Sequence, residues 1–283
     1  MKYAFIEEHR GTYGVPVLCQ ILEVSRSGYY AARHRVPSPR QTRQAELTSQ
    51  IRSIHVKSRE SYGAPRVHAE LLAQGTFCSR NTVAKLMRRA ALLPKSVRRF
   101  RITTDARRTQ ASPNLIGQVF TAPRPNDCWL SDITYIPTRE GWLYLAAVLD
   151  VYSRAIVGWS MSRTLDTRLA LDALHMAIDQ RGPPAILHSD QGVTYAAAGF
   201  RALLHQHGIR QSMSRKGNCW DNAPMESFFH TLKTELVMHC DYKTRDAARA
   251  SLFDYMEVFY NRQRRHSTIN YKAPLAFEAM QIA

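Results

Sequence analysis

No stretch of the 283 residues approaches the ~20 consecutive apolar residues that a membrane-spanning helix requires, so no such span is expected. The first residues, MKYAFIEEHRGTYG, carry two glutamates where a secretory signal would run apolar, and export is not expected either. Cysteine is sparse and scattered. Cys19, Cys78, Cys128, Cys219 and Cys240 form neither a CxxC pair nor any zinc-ligand spacing, which argues against a structural zinc and for reduced thiols in the cytosol. Repeats and low-complexity tracts are missing. Negative charge is scarce in the first 125 residues, which hold 22 Lys/Arg against 7 Asp/Glu. The remainder balances at 17 against 16, within a total of +16. A half so one-sidedly basic calls for a polyanionic partner. Nucleic acid fits better than a membrane surface, because no basic helix carries a strong aromatic face.

What is present is the composition of a soluble globular protein, 45% hydrophobic and 22% charged, and the length suggests two domains. The basic half reads as short helices. An apolar helix around Val17–Leu22 breaks at Glu23–Ser25, and a second, capped by Ser25 or Ser27, carries Tyr29 and Tyr30. This layout suits either a groove-reading helix-turn-helix or a plain helical hairpin. Val36–Arg43 reads as a Pro/Ser/Arg link. A helix over Glu46–Lys57 follows, then a turn at Gly63 and Pro65, a helix over Arg66–Ala73, and one from Ser79 or Asn81 through Met87. Lys85, Arg88 and Arg89 lie on the outside of the last of these and are candidate phosphate contacts. Arg98 and Arg99 continue the basic character into a proline-closed linker over 94–126.

From Cys128 the period becomes strand-like. CWLSDITYIP, GWLYLAAVLD and SRAIVGWSM are three successive β runs. A helix over Thr167–Arg181, the strand AILHSD, a helix over Gly199–His207 and the strand IRQSMS come next. Helices over Pro224–Met238 and Thr244–Asn261 complete an α/β domain with a mixed five-stranded sheet. Asp132 lies mid-strand beside Leu130, Thr134 and Ile136, where a carboxylate is costly without a cation. Asp190 ends a short buried strand, the usual place for ligands in an α/β sheet. Glu226 opens a helix signalled by Asp221 or Asn222 and by Pro224. Three oxygen ligands on separate elements suit magnesium or manganese rather than zinc. Asp150 invites a role as fourth ligand but is read as structural. Arg262, Arg264, Arg265 and His266 form a basic cluster that either grips DNA or complements a helix end. The tyrosines and phenylalanines near Phe253–Tyr260 read as core.

The ordered motifs WLSDITYI, LDVYSRAIVGW, HSDQGVTY, SMSRKGNCWDNAPMESFFHTLKTE and FYNRQRRHSTINYKAP resemble the transposase domain of the insertion-sequence-three family. Thirty-five residues separate Asp190 from Glu226, as in the family pattern, and Lys233 stands at the family's basic position seven residues after Glu226. SRSGYYAARHR, ESYGAPRVHAELL and NTVAKLMRRAALL resemble the family's helical DNA-binding part. The resemblance implies a ribonuclease-H-like catalytic core preceded by an all-helical DNA-binding region. Its expected divisions are a helix-turn-helix-like segment over 1–43, a helical DNA-binding domain over 44–93, a basic linker over 94–126 and the catalytic domain with C-terminal helices over 127–283.

It further implies a DDE-type polynucleotidyl transferase in which Asp132, Asp190 and Glu226 hold two Mg²⁺ or Mn²⁺ ions. Lys233, Arg262 and Arg265 join Lys85, Arg88, Arg89, Arg98 and Arg99 as expected DNA contacts. His188 and Asn222 stand behind the ligands or face DNA, with ordinary structural hydrogen bonding an equal alternative. Expected partners are double-stranded DNA at element ends and target, the upstream-frame OrfA product or a fusion to it, and further copies of the chain on DNA. The expected location is the bacterial cytosol. A ribonuclease-H-like nuclease without strand transfer, and a non-catalytic DNA-binding regulator, are the competing expectations.

Overall fold

The computed structural model describes residues 1–34, 36–95, 112–215 and 219–280; Arg98 and Arg99 lie outside them. The chain forms two compact units, Met1–Arg52 and Ser53–Ala283. In the first, α1 (Lys2–His9), α2 (Val15–Ile21) and α3 (Arg26–Arg33) enclose Ile6, Leu18, Cys19 and Tyr29. Ser25 caps α3 by accepting the Gly28 N–H at 3.0 Å. Helix α1 is not expected from the sequence. It buries only Ile6 and leaves Tyr3 and Phe5 exposed, so it has no apolar stripe for periodicity to reveal. The anticipated link at Val36–Arg43 is also corrected: α4 begins at Pro39 and runs to Lys57, across the boundary between the units. Ser38 Oγ accepts the Gln41 N–H (3.3 Å) while Gln41 Oε1 accepts the Ser38 N–H (2.8 Å), a reciprocal capping box with proline in the first turn.

The second unit opens with α5 (Ala64–Ala73) and α6 (Arg80–Arg89), the latter capped by Ser79 on the Thr82 N–H at 3.1 Å. Its sheet comprises β1 (Cys128–Thr138), β2 (Gly141–Asp150), β3 (Ile156–Ser162), β4 (Ile186–Ser189) and β5 (Arg210–Met213), in the order β3-β2-β1-β4-β5. The first three strands are antiparallel, and β4 and β5 join parallel to β1. This is the mixed five-stranded sheet that the alternation predicts. Trp129, Ala146, Val148 and Val157 face α7 (Thr167–Arg181), α8 (Val193–Ala196) and α9 (Ala198–Gln206). Gly158 lets α7 lie close, since a Cβ there would stand 2.3 Å from the Ala173 carbonyl oxygen. Leu143, Leu145 and Ala147 are buried on the alternate face, where α10 (Ala223–Glu235) and α11 (Arg245–Phe253) pack.

The helix expected over Thr244–Asn261 is wound in two ways. Beyond α11 it widens to a π-helical stretch over Asp254–Tyr260, and α12 (Pro274–Ala279) lies near the end of the described chain. Asn261 then pairs its side-chain amide with both backbone groups of Ile156 at 2.9 Å, so that a side chain occupies the start of edge strand β3. The described end of the expected linker lies along β5 instead of hanging free: Pro113 O accepts the Met213 N–H and Leu115 N donates to Ser212 Oγ at 2.9 Å.

One irregularity of the sheet positions the site. Strand β4 ends with Ser189 opposite Ser131, whereas β1 runs on to Thr138 with only β2 beside it. The sheet therefore has a step immediately beyond Ser131, and the next residue is Asp132.

Candidate active site

At this step three carboxylates approach from separate elements. Asp132 pairs across with Ala147 and so projects on the side of α10 and α11. Its Oδ1 accepts the N–H of Ile133 at 2.8 Å. Asp190 follows the end of β4, with Oδ1 accepting the Gly192 N–H at 2.9 Å. Glu226 stands in the first turn of α10 and is exposed. Asp132 feels the other two. Burial first, and then the charges of Asp190 and Glu226, push the Asp132 carboxyl up to about 8. Burial raises Asp190 and Glu226 as well. Lys233, one face further along α10, feels Asp132 in turn: burial lowers its ammonium and the Asp132 charge opposes that shift.

Each carboxylate rests on a frame of its own. Ser131, adjacent to Asp132, shares a hydrogen bond with the Tyr195 hydroxyl at 3.0 Å, and its carbonyl accepts from Asn222 Nδ2 at 3.3 Å. Asn222 thereby fastens the start of α10 to β1. Among the described residues its buried Oδ1 has no hydrogen-bond partner. His188, two residues before Asp190, is buried between Ser212 (2.8 Å) and Ser214 (3.2 Å), and burial lowers its imidazole to about 4, keeping it neutral. Both of its nitrogens are thus engaged between β4 and β5.

The segment that leads into α10 carries Asp221, which the sequence offers only as a helix cap. Asp221 caps nothing. Its buried carboxylate accepts from Arg215 N, Nε and Nη2 at 2.8–3.0 Å and from Gln118 Nε2 at 2.8 Å. The Arg215 bonds hold it well below the ordinary carboxylate range. An opposite-charge pair six residues apart in sequence is the available signal.

Asp150 lies away from this group. It pairs with Trp129, and its oxygens accept from Asn126 N (2.8 Å) and Tyr152 N (2.7 Å), which organises the β2–β3 turn as expected of a structural residue. Phe229 is buried with Met225, Phe228 and Leu232.

The donor set fits a hard divalent cation: three carboxylates, with no thiol or free imidazole nitrogen contributed by His188. A carboxyl raised by burial and by two neighbouring carboxylates, as Asp132 is, is what such a cation relieves. Among the described residues no three ligand-type side chains stand close enough to enclose an ion as placed. Glu226, weaker than Asp190 in its effect on Asp132, is the exposed member of the three.

The basic residues divide into two sets. Lys85, Arg88 and Arg89 are exposed along α6 above the buried Val83, Leu86 and Met87, and Arg262 is exposed as well. Arg264 and Arg265 are committed elsewhere. Arg264, 2% exposed, forks onto Glu235 of α10 through Nε (2.8 Å) and Nη2 (2.7 Å), and Tyr255 donates to the same carboxylate at 2.8 Å. Arg265 pairs with Glu70 of α5 and donates to the Tyr271 carbonyl. The Tyr62 hydroxyl accepts the Arg265 N–H (2.7 Å), Arg66 Nε donates to the Arg265 carbonyl (2.9 Å), and Arg59 pairs with Asp254 at 2.8 Å. The segments ESYGAPR and YNRQRRH are therefore two halves of one clasp.

Residues 122–219 and 226–282 match profiles described as integrase core domain, and residues 42–100 match an HTH-like domain. The chain is 43% identical over its whole length to the whole of the transposase InsF for insertion sequence IS3A of Escherichia coli K12. It is also 43% identical to the insertion element IS600 uncharacterized 31 kDa protein of Shigella sonnei, over 92% of this chain and 97% of that one. The chain belongs to the insertion-sequence-three family of transposases. Solved structures similar to it include a simian T-cell lymphotropic virus intasome in complex with PP2A regulatory subunit B56 gamma, at 18% identity and a TM-score of 0.48, covering 75% of this chain and 70% of that one. The HTLV-2 integrase catalytic core domain in complex with magnesium is similar at 16% identity and a TM-score of 0.43, covering 55% and 98%. Among the described residues of this transposase no helix is long and apolar enough to cross a membrane.

Proposed function

We propose that this transposase acts by DDE chemistry, with Asp132, Asp190 and Glu226 as the carboxylates that hold two Mg²⁺ or Mn²⁺ ions. The observation that carries the reading is the electrostatic convergence of these three residues at the step of the sheet, where burial and the charges of the other two raise the Asp132 carboxyl. Ions held there would supply activation of an attacking oxygen and stabilisation of the leaving one during in-line displacement at a phosphodiester.

The chain's own groups account for the rest. Asp132 and Asp190 sit on the rigid sheet, so the phosphate position is set by β1 and β4. Glu226 sits on α10, whose start Asn222 fastens to β1. Lys233 offers a cation beside Asp132 for a neighbouring phosphate. The site is open to solvent at Glu226, as a duplex substrate requires. The exposed cations of α6 supply sequence-independent attraction to the DNA backbone. End DNA and target DNA as substrates, an upstream-frame partner and assembly of several copies on DNA belong to the same reading.

The test is strand cleavage and joining on labelled end-sequence DNA with Mg²⁺ or Mn²⁺, using the chain, its fusion to the upstream frame, and Glu226→Gln in each. The expected outcome is metal-dependent joining that the Gln substitution abolishes while DNA binding persists. Cleavage without joining would favour hydrolysis alone, and Gln variants as active as the parent would remove Glu226 from the chemistry.

A further inference from the structure

Around the open edge of β1 from Asp132 lies a surface that the carboxylates' chemistry does not use. Tyr135 pairs across with Tyr144 and Trp142 with Pro137, so both side chains project on the sheet face opposite Asp132, and Lys233, which feels the Asp132 charge, reaches the Tyr135 ring. Tyr135, three residues beyond Asp132 on the unaccompanied stretch of β1, and Trp142 at the start of β2 are 48% and 49% exposed. Their rings meet edge to face, with centroids 5.0 Å apart and planes at 78°. Lys233 Nζ stands 4.7 Å from the centre of the Tyr135 ring. On the other side Arg245 Nε donates to the Trp142 carbonyl at 3.0 Å, and its guanidinium lies against Gly141.

Two large aromatic side chains half in water, with a cation at each flank, make a poor hydrophobic core and a good receptor for a flat, negatively linked ring system. We propose that Tyr135 and Trp142 form a shelf that holds an unpaired nucleobase of the strand being cut, with Lys233 and Arg245 engaging the phosphates on either side. Resting on the DDE reading, this assigns the shelf a positioning role: it keeps the strand from sliding past Asp132. An aromatic face serves any base, so the shelf sets register on the strand more than sequence preference.

The test uses the full chain and duplex DNA copying the border of the element, with 2-aminopurine placed singly at positions around the cleaved phosphate. Stacking on the shelf quenches the probe at one or two of these positions in the parent. The Tyr135→Ala/Trp142→Ala double variant is expected to lose the quench and to bind roughly 5- to 100-fold more weakly. Tyr135→Phe and Trp142→Phe, which keep an aromatic face, retain the quench, and this guards against simple unfolding of the double variant. A double variant that quenches and cleaves like the parent, or Phe variants that fail as the Ala variants do, overturns the shelf while leaving the DDE reading intact. A parent that neither quenches nor cleaves with metal overturns both.

Discussion

Gly158 shows how one missing side chain sets the sheet's thickness. A Cβ at this position would stand 2.3 Å from the Ala173 carbonyl oxygen and 2.8 Å from the Ala177 nitrogen, both backbone of α7, so the helix itself would have to withdraw. Gly158→Ala is expected to cost at least the ~1–3 kcal/mol typical of overpacking, read as a shift of the denaturant midpoint at unchanged slope. His266 offers a test by pH. Burial first, then the charges of Arg264, Arg66 and Arg154, hold its imidazole far below 6.5. Below about pH 6.5 the unfolded chain takes up this proton and the folded chain does not, so stability falls as acid is added. The melting temperature of His266→Gln should therefore decline less steeply than the parent's between about pH 7 and 5. An equal slope in the two proteins would show that His266 is not the titrating group.

Among the elements, α10 carries most of the consequence, with Glu226 in its first turn and Glu235 in its last. Glu235→Ala would strand the Arg264 guanidinium, which is expected to cost about 3–5 kcal/mol, whereas replacing Glu235 and Arg264 together by Leu and Met should restore most of it. Thermal melting of the two variants beside the parent decides this, and equal losses in the single and double variants would count against the pair. Legibility in the sequence also differs from element to element. Helix α7 is readable to the residue because its apolar period is regular and Asp166 and Gly182 bracket it. The 35-residue interval from Asp190 to Glu226 is readable because it lies along the chain. The Ser38 box is hard to see because its polar composition reads as a link, although its capping signature is in the sequence. The clasp is illegible for a deeper reason. An arginine looks alike whether it meets phosphate or a carboxylate 195 residues away, as Arg265 meets Glu70. Asp221 reads as a cap on the same account, since its partners are fixed by the loop's closure.

For the whole molecule, the lopsided charge becomes a measurable quantity. Lys85, Arg88 and Arg89 are exposed on a helix whose opposite side is buried. Removing any one cation that neutralises a phosphate should lower the slope of log affinity against log salt by about 0.9. The triple Ala variant is thus expected to bind all duplex sequences more weakly and with a slope shallower by up to about 2.7. An unchanged slope would move the backbone contacts off α6.

The clasp between residues 59–70 and 254–271 also bears on how the protein is made. The face formed by Arg59, Tyr62, Arg66 and Glu70 leaves the ribosome long before Asp254 or Arg265 has been synthesised. At 5–20 residues per second that interval is roughly 10–40 s. Throughout it these arginines are available to any polyanion nearby, nascent message and chromosome included, and they are withdrawn only once residues 254–271 have been made. Chains halted at residue 250 should accordingly be cut by protease around Ser58–Gly63 and retain nucleic acid on purification, while released full-length chains should do neither.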